Sequence, residues 1–333
     1  MLKCAVVILN WNGLGFLKEF LPTAIKYTSD NSEIIVADNA STDGSVEFLE
    51  KEYPQTKIIK LDKNYGFTGG YNRSLAQVEA EYYILLNSDV EVTPGWDEPL
   101  IKILDTRKDV GAVMPKMLSY YNHKEFEYAG AAGGFLDKYG YPFCRGRVFH
   151  TLEDDHGQYD GVHEIFWASG ACLTVRAQLF HQLGGLDDIL FAHMEEIDFC
   201  WRLHHLNYKV LVTSESVIYH LGGGTLPKYS PHKSFLNFRN NLIILYKNLP
   251  RPLFNKIYIA RIILDLIAAF YFLANFNFSG FYVVFKAHVV FNQYRSSREI
   301  KRVTNPMPEP HFINKSTVIQ YFLKGKKYFS QIS

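Results

Sequence analysis

Cysteine is scarce in this chain and has no pattern. The four cysteines, Cys4, Cys144, Cys172 and Cys200, form no Cys-x-x-Cys pair. That excludes a disulfide-stapled scaffold and a zinc-finger spacing, and it predicts reduced thiols in a cytosolic setting. Cys4 and Cys172 fall in strand-like runs and read as packing residues. No secretory leader is expected: the apolar run at 5–9 is too short for one and lacks a cleavage site, so it reads as a first strand. Internal repeats and low-complexity tracts are missing, and no tail segment shows the roughly 20 clean apolar residues that a spanning helix needs. Acidic residues are rare after position 224. Residues 225–333 carry 16 Lys and Arg against 3 Asp and Glu, whereas residues 1–224 carry 19 against 31. The net charge of +1 conceals this asymmetry, which gives the two parts different jobs.

What is present describes a folded α/β chain. A hydrophobic fraction of 47% with 21% charged residues excludes disorder, and 333 residues can bury a substantial core. Strand signals at 4–9, 33–37, 57–61, 82–86 and 111–114 alternate with helical stretches near 15–28, 44–52, 69–79 and 95–105. Repeated β-α units predict a mostly parallel sheet flanked by helices. The pattern loosens over 115–163, expected as irregular structure where a variable second substrate binds. Order returns with a strand over 166–175, a helix beginning near Met194, and strands at 209–212 and 216–219. The tail beyond 233 is helical, aromatic and basic. Two readings of it stay open: an amphipathic surface for an anionic membrane, or helices that pack on the preceding domain or form a homodimer. Arg261 and Asp265, four apart, are expected to pair. The resulting division is 1–224, with halves 1–114 and 115–224, and a helical region 225–333.

Three polar tips follow apolar strands: Asn10-Trp11-Asn12-Gly13, Val36-Ala37-Asp38-Asn39 and Asn87-Ser88-Asp89. In open α/β sheets ligands bind at the carboxyl ends of strands, so these tips predict one crevice. Asp38 suits a base or ribose, and Asp89 offers hard oxygen to a divalent cation holding a diphosphate. Asn64-Tyr65-Gly66-Phe67-Thr68-Gly69-Gly70-Tyr71-Asn72 is a glycine-rich turn into a helix. It lacks the Gly-Lys-Ser/Thr of a P-loop, so it is either a backbone approach to a phosphate or ribose, or simply a tight turn. In the helix from Met194, Glu196 shares a face with Phe199, Cys200 and Leu203, a costly place for a carboxylate without a use. Glu196 is therefore the expected base. Glu195 and Asp198 point elsewhere, Asp198 toward an ion pair with Arg202. His220 sits at a strand tip before Gly222-Gly223-Gly224, and alone reads as an ordinary surface or capping residue.

With these motifs in hand, the chain resembles family 2 glycosyltransferases of the GT-A fold, in the branch that includes rhamnosyl- and galactofuranosyltransferases. The shared pieces, in order, are the three strand tips, the 64–72 turn, Trp167-Ala168-Ser169-Gly170-Ala171, Gly184-Gly185-Leu186-Asp187 and Glu195-Glu196-Ile197-Asp198, spanning roughly 4–224. The resemblance implies an inverting hexosyltransferase. It would use a nucleoside-diphosphate sugar (dTDP-rhamnose or a UDP-sugar) and a hydroxyl of a cell-surface polysaccharide or lipid-linked oligosaccharide. It implies Asn12, Asp38, Asn64, Gly70, Asn72, Asn87 and Asp89 around the donor, Asp89 and His220 on a divalent cation (Mg2+ or Mn2+), and Glu196 as base with Glu195 and Asp198 in support. Position 87 is Asn where many relatives carry Asp, which removes one charge. The expected location is the cytoplasmic face of the membrane, peripherally bound, with no nucleic-acid partner. Two alternatives remain at this point: a nucleotide-sugar pyrophosphorylase, disfavoured because no Arg or Lys lies within 10–15, and a non-catalytic membrane scaffold that has kept the fold.

Overall fold

The run Leu2–Asn10 (β1) is buried along most of its length, as an aliphatic stretch without alternation should be when helices cover a sheet. In the computed structural model, which describes residues 1–222, 230–307 and 310–332, β1 pairs in parallel with Ser32–Asp38 (β2). Lys57–Lys60 (β3) extends the sheet beyond β2, and Ala80–Asn87 (β4) lies parallel on the other side of β1. Helices Leu14–Tyr27 (α1), Ser45–Glu52 (α2) and Gly66–Leu75 (α3) form the crossovers. Val90–Val92 (β5), Glu98–Thr106 (α4) and Val110–Ser119 (β6) follow.

The region expected to be irregular is instead ordered. Gly134–Leu136 (β7), Pro142–Cys144 (β8), Arg147–Val148 (β9) and Thr151–Leu152 (β10) make a four-stranded antiparallel sheet. Strands of two or three residues are too short to show a period, and Gly140 and Gly146, at φ +77° and +85°, turn the chain between them. Val162–Ile165 (β11) and Cys172–Arg176 (β12) then join the main sheet. Only the end of the run 166–175 is strand: Phe166 and Trp167 donate their N–H groups to Gly134 O, at 2.8 and 3.1 Å, and leave the sheet. After Ala177–Gln182 (α5) and Glu195–His205 (α6), the two strands expected at 209–219 prove to be one, Lys209–His220 (β13), with an irregularity between Thr213 and Val217.

The main sheet runs β11–β13–β6–β12–β4–β1–β2–β3, with β5 paired to β13. It is mixed rather than mostly parallel. β12 enters between β4 and β6 antiparallel to both, because the chain reaches it from β11 through the loop 166–171 and not through a crossover helix. The boundary expected at 114/115 falls inside β6, and that at 224/225 lies outside the described residues, as do Gly223 and Gly224.

The tail helices Pro231–Asn248 (α7), Arg251–Ala274 (α8) and Phe278–Ser297 (α9) share the core of the sheet: Leu242, Leu245, Phe254, Ile257 and Phe291 are buried within it. Their inner faces thus pack on the preceding domain, as the second reading of the tail foresaw. At 24 residues, α8 is long and apolar enough to cross a membrane, contrary to expectation, since the helix begins at Arg251, well before 257. The expected pair exists: Arg261 Nη2 lies 3.4 Å from Asp265 Oδ2, both buried, and the Tyr141 hydroxyl donates to Asp265 at 2.6 Å.

The C-terminal strap is tied down by one carboxylate. Asp137, fully buried, accepts from the N–H groups of Tyr139, Tyr141 and Thr317, each at 2.8–2.9 Å, and from the Thr317 hydroxyl. Beyond it Tyr321, Phe329 and Ile332 pack on Phe143 and Val148. Asp137→Ala strands these donors and is expected to cost about 2–4 kcal/mol. Urea unfolding measures the loss, and limited proteolysis should then cut residues 310–332 first.

Candidate active site

The register of the parallel strands brings the polar tips together. Asn10 is the partner of Asp38, and Leu9 that of Asn87. Asn10 Nδ2 donates to Asp38 Oδ1 at 3.0 Å, and Ser41 N–H donates to Asp38 Oδ2 at 2.9 Å. Asn12, at φ +49°, accepts from Thr42 N–H at 2.7 Å and so fixes the loop after β2 to the loop after β1. Gly13 makes the closest approach: a Cβ there would lie 2.5 Å from Asn10 Oδ1 and 3.6 Å from Ser88 Oγ.

At the tip of β4, Asp89 is buried, and its Oδ1 lies 3.2 Å from His220 Nε2 at the end of β13. The other ring nitrogen, Nδ1, lies 3.2 Å from Glu127 Oε1, itself buried. Burial pulls the His220 pKa down, but the Glu127 and Asp89 carboxylates prevail and push it up to about 10. The imidazole is thus held between two carboxylates, a cavity that favours positive charge. Among the described residues no group of three or more His, Cys, Asp or Glu side chains can hold an ion by itself. Asp89 oxygen suits a divalent cation that completes its shell with phosphate oxygens, and His220 nitrogen could join it only when the cation displaces the ring proton, while Glu127 lies behind the ring.

Glu195 and Glu196 open α6. Glu195 is buried rather than turned outward, and Glu196 is half-buried beside it. Among the described residues, Glu195 Oε2 and Glu196 Oε2 are buried without a hydrogen-bond partner. Burial, then repulsion from Glu196, pushes the Glu195 carboxyl well above its usual range. Burial raises Glu196 to about 7, against the pull of N–H groups in the first helical turn. This pair adjoins the strand tips: a Cβ at Gly170 would lie 3.7 Å from Glu196 Cβ, and the next residue, Ala171, accepts from Asn87 N–H at 3.0 Å. Cys144 feels both groups, its thiol raised first by burial and further by Glu127 and Glu196.

The chain entering α6 is strained, with Phe191, His193 and Met194 at φ +63°, +68° and +73°. Helix α7 holds it there. Asn240 Nδ2 lies 2.9, 2.9 and 2.7 Å from the carbonyls of Leu190, Ala192 and His193, and Arg239 Nη2 donates to Leu190 O at 3.2 Å. Lower on α6, Asp198 forms the expected pair with Arg202, at 2.8 Å, and two that were not foreseen, with Lys247 at 2.8 Å and Asn248 at 2.9 Å. Burial opposes its charge, but Lys247 and Arg202 hold its pKa at about 2.

The glycine-rich turn resolves in favour of a tight turn. Phe67 and Thr68 donate their N–H groups to Phe191 O at 3.0 and 3.2 Å, so this carbonyl occupies the start of α3. Asn64 accepts from Gly66 N–H and from Asn39 Nδ2, and Gly70 lets α3 approach Leu9, whose Cδ1 would lie 2.8 Å from a Cβ. Asn72 bonds both ways with Leu186, at 2.8 and 2.9 Å. All three thus brace α3 against its neighbours. Glu127, Arg239, Asn240, Lys247 and Asn248 escaped the sequence reading. One signal was available: Asn240-Asn241 after Arg239 sets two poor helix formers inside an apolar helix, where they need a purpose.

Residues 5–167 match the sequence model of glycosyl transferase family 2. An N-acetylglucosaminyl-diphospho-decaprenol L-rhamnosyltransferase of Mycobacterium tuberculosis is 27% identical over 236 residues, 66% of this chain and 76% of its own length. In structure the chain is similar to the mannosyltransferase PcManGT of Pyrobaculum calidifontis, solved with GDP-Man and Mn2+. The TM-score is 0.51 at 13% identity, over 89% of this chain and 79% of that one. It is also similar to GalNAc-T7 solved with UDP, GalNAc and Mn2+, at TM-score 0.57 and 16% identity, over 74% of this chain and about half, 48%, of the other. At such identities the likeness shows the GT-A fold.

Removing the Asp198 carboxylate leaves Arg202 buried without a carboxylate partner and Lys247 with Asp187 alone. Asp198→Ala is expected to destabilise the protein by about 3–5 kcal/mol, read as a lower urea midpoint at unchanged slope.

Proposed function

Because the chain belongs to glycosyl transferase family 2 and is a glycosyltransferase of the rhamnosyltransferase-like branch, we propose that it moves a hexosyl unit from a nucleoside-diphosphate sugar to an acceptor hydroxyl in one inverting displacement. That membership speaks against a pyrophosphorylase, and the presence of both Asp89 and Glu196 speaks against a scaffold that has only kept the fold. The observation that carries the reading is Glu196, a carboxylate with a free buried oxygen and a pKa near 7, set beside the loop that pairs with the Asn87–Asp89 tip.

Glu196 Oε2 takes the proton of the acceptor hydroxyl while that oxygen bonds to the anomeric carbon from the face opposite the diphosphate. The bond to the diphosphate breaks with its electron pair leaving on oxygen, through an oxocarbenium-like transition state. Burial and the charge of Glu196 favour the proton on Glu195, so the negative charge of the pair falls on Glu196. Asp38 keeps lone pairs beyond its bonds to Asn10 and Ser41, and these meet the ribose or base. Asn12 and Asn87 line the same edge. A divalent cation, Mg2+ or Mn2+, held by Asp89 and His220 would supply the charge that offsets the leaving diphosphate. The Mn2+ in both structural neighbours supports that expectation. The rhamnosyltransferase relative makes dTDP-rhamnose the first donor to assay, ahead of UDP-sugars, and a polyprenyl-diphosphate-linked glycan the first acceptor. Such an acceptor places the reaction at the inner face of the cytoplasmic membrane.

A donor panel with a polyprenyl-diphospho-sugar acceptor, its product read by NMR for anomeric inversion, tests the reaction. Glu196→Gln should lose about 10²–10⁴ in turnover with donor affinity kept; near wild-type turnover would sink the base assignment. As a base, Glu196 must be ionised, so the wild-type rate should fall as pH drops below about 7 and level off above it, a profile that Glu196→Gln flattens. Glu127→Gln should weaken Mn2+ binding about 10–100-fold, measured by electron paramagnetic resonance of Mn2+ with nucleoside diphosphate present.

A further inference from the structure

Helices α8 and α9 expose side chains that the fold does not use. On α8, Ile259, Ile262, Ile263, Ile267, Phe270 and Tyr271 are exposed, and their spacing of three, four, eight, eleven and twelve residues sets them in one stripe. On α9, Phe278, Tyr282, Phe285 and Val289 repeat the pattern. The opposite faces point inward: Ile257, Arg261 and Asp265 of α8 and Val284, Ala287 and Phe291 of α9 are buried. Phe281 bridges the stripes, its ring 6.1 Å from Phe270 and 4.9 Å from Phe285. Phe322 joins the margin 6.5 Å from Tyr271, followed by Leu323 at 80% exposure. Singly exposed apolar residues need no explanation, but a contiguous patch of this extent does.

The charge around the patch names its occupant. Between 251 and 298 the only acidic residue is Asp265, buried against Arg261, Tyr141 and His288. The exposed charged residues of that segment, Arg251, Lys256, Lys286 and Arg298, are all basic, and Lys324 follows Leu323. We infer that this face docks on an anionic lipid bilayer, with α8 and α9 lying in the headgroup region and the basic residues on lipid phosphates. A two-fold contact with a second copy would set predominantly basic rims against each other, with exposed Glu299 beside Arg298 as the acidic residue at the margin. A spanning α8 would pull Arg261 and Asp265 from the Tyr139, Tyr141, Asn241 and His288 groups that satisfy them. The docked hairpin reaches the site through α7, which packs on α9 and clamps the chain entering α6. A lipid-borne acceptor would then meet Glu196 at a set height. That consequence rests on the proposed acceptor, whereas the docking does not.

Co-sedimentation of the full chain with phosphatidylcholine vesicles, with and without phosphatidylglycerol, tests the inference. Binding should require the anionic lipid. Ile263→Glu with Phe270→Glu, and separately Lys256→Glu with Lys286→Glu, should each weaken it about tenfold or more. Melting temperature and turnover on a soluble acceptor should stay unchanged, so failure of docking and failure of the transferase reading are separable. In Ile263→Trp, bromines near the headgroup should quench the indole best. Binding indifferent to lipid charge and to both variant pairs would overturn the inference. So would a dimer in solution that Ile263→Glu dissociates, or strongest quenching by bromines at the acyl ends, the mark of a spanning helix.

Discussion

A single buried carboxylate ties the tail to helix α6. Asp198 has no exposed surface, and it is met by Arg202 from its own helix and by Lys247 and Asn248 from α7. A charge in such a place is costly unless paired and hydrogen-bonded, so the helices must adopt the one alignment that satisfies it. Lys247 also reaches Asp187, which fixes the loop before α6 to the same helix. Once α7 is placed this way, Arg239 and Asn240 fall on the carbonyls of 189–193, and the strained turn that presents Glu195 and Glu196 has its support.

The site is therefore held from two directions. The sheet contributes the strand tips, whose relative positions follow from parallel register, and these carry Asp38, Asn87 and Asp89. The tail contributes the pose of the glutamates. Between them lies the loop 166–171, anchored on β7 through Gly134, where a Cβ would stand 1.9 Å from the Trp167 ring. The two poles differ in character: Asp89, His220 and Glu127 make a place for positive charge, while Glu195 and Glu196 are carboxyls whose burial favours the proton. Transfer between a leaving anion and an acidifying hydroxyl needs one of each.

Much of this was legible in residue order. Apolar runs that stop at Asn10, Asp38 and Asn87 announce buried strands with polar ends, and the period through Phe199, Cys200 and Leu203 announces a helix with one buried side, although the carboxylates buried there are Glu195 and Asp198, with Glu196 only half-buried. Glu127 was not legible, because it lies in the irregular segment between β6 and β7 and meets His220 only through the fold, from far along the chain. Nor was the occupied start of α3, since the carbonyl that fills it comes from Phe191, over a hundred residues along the chain.

Local pattern determined the elements, the sheet end that carries the polar tips and the basic character of the tail, because period, turn chemistry and charge act over a few residues. Tertiary structure alone decided the insertion of β12, the ring of His220 between Asp89 and Glu127, the bonds and packing of Asn64, Gly70 and Asn72 around α3, and the docking of α7. Each of these joins side chains distant in the chain. Such contacts are chosen by which buried polar groups find partners when the layers close, a condition no window of residues contains.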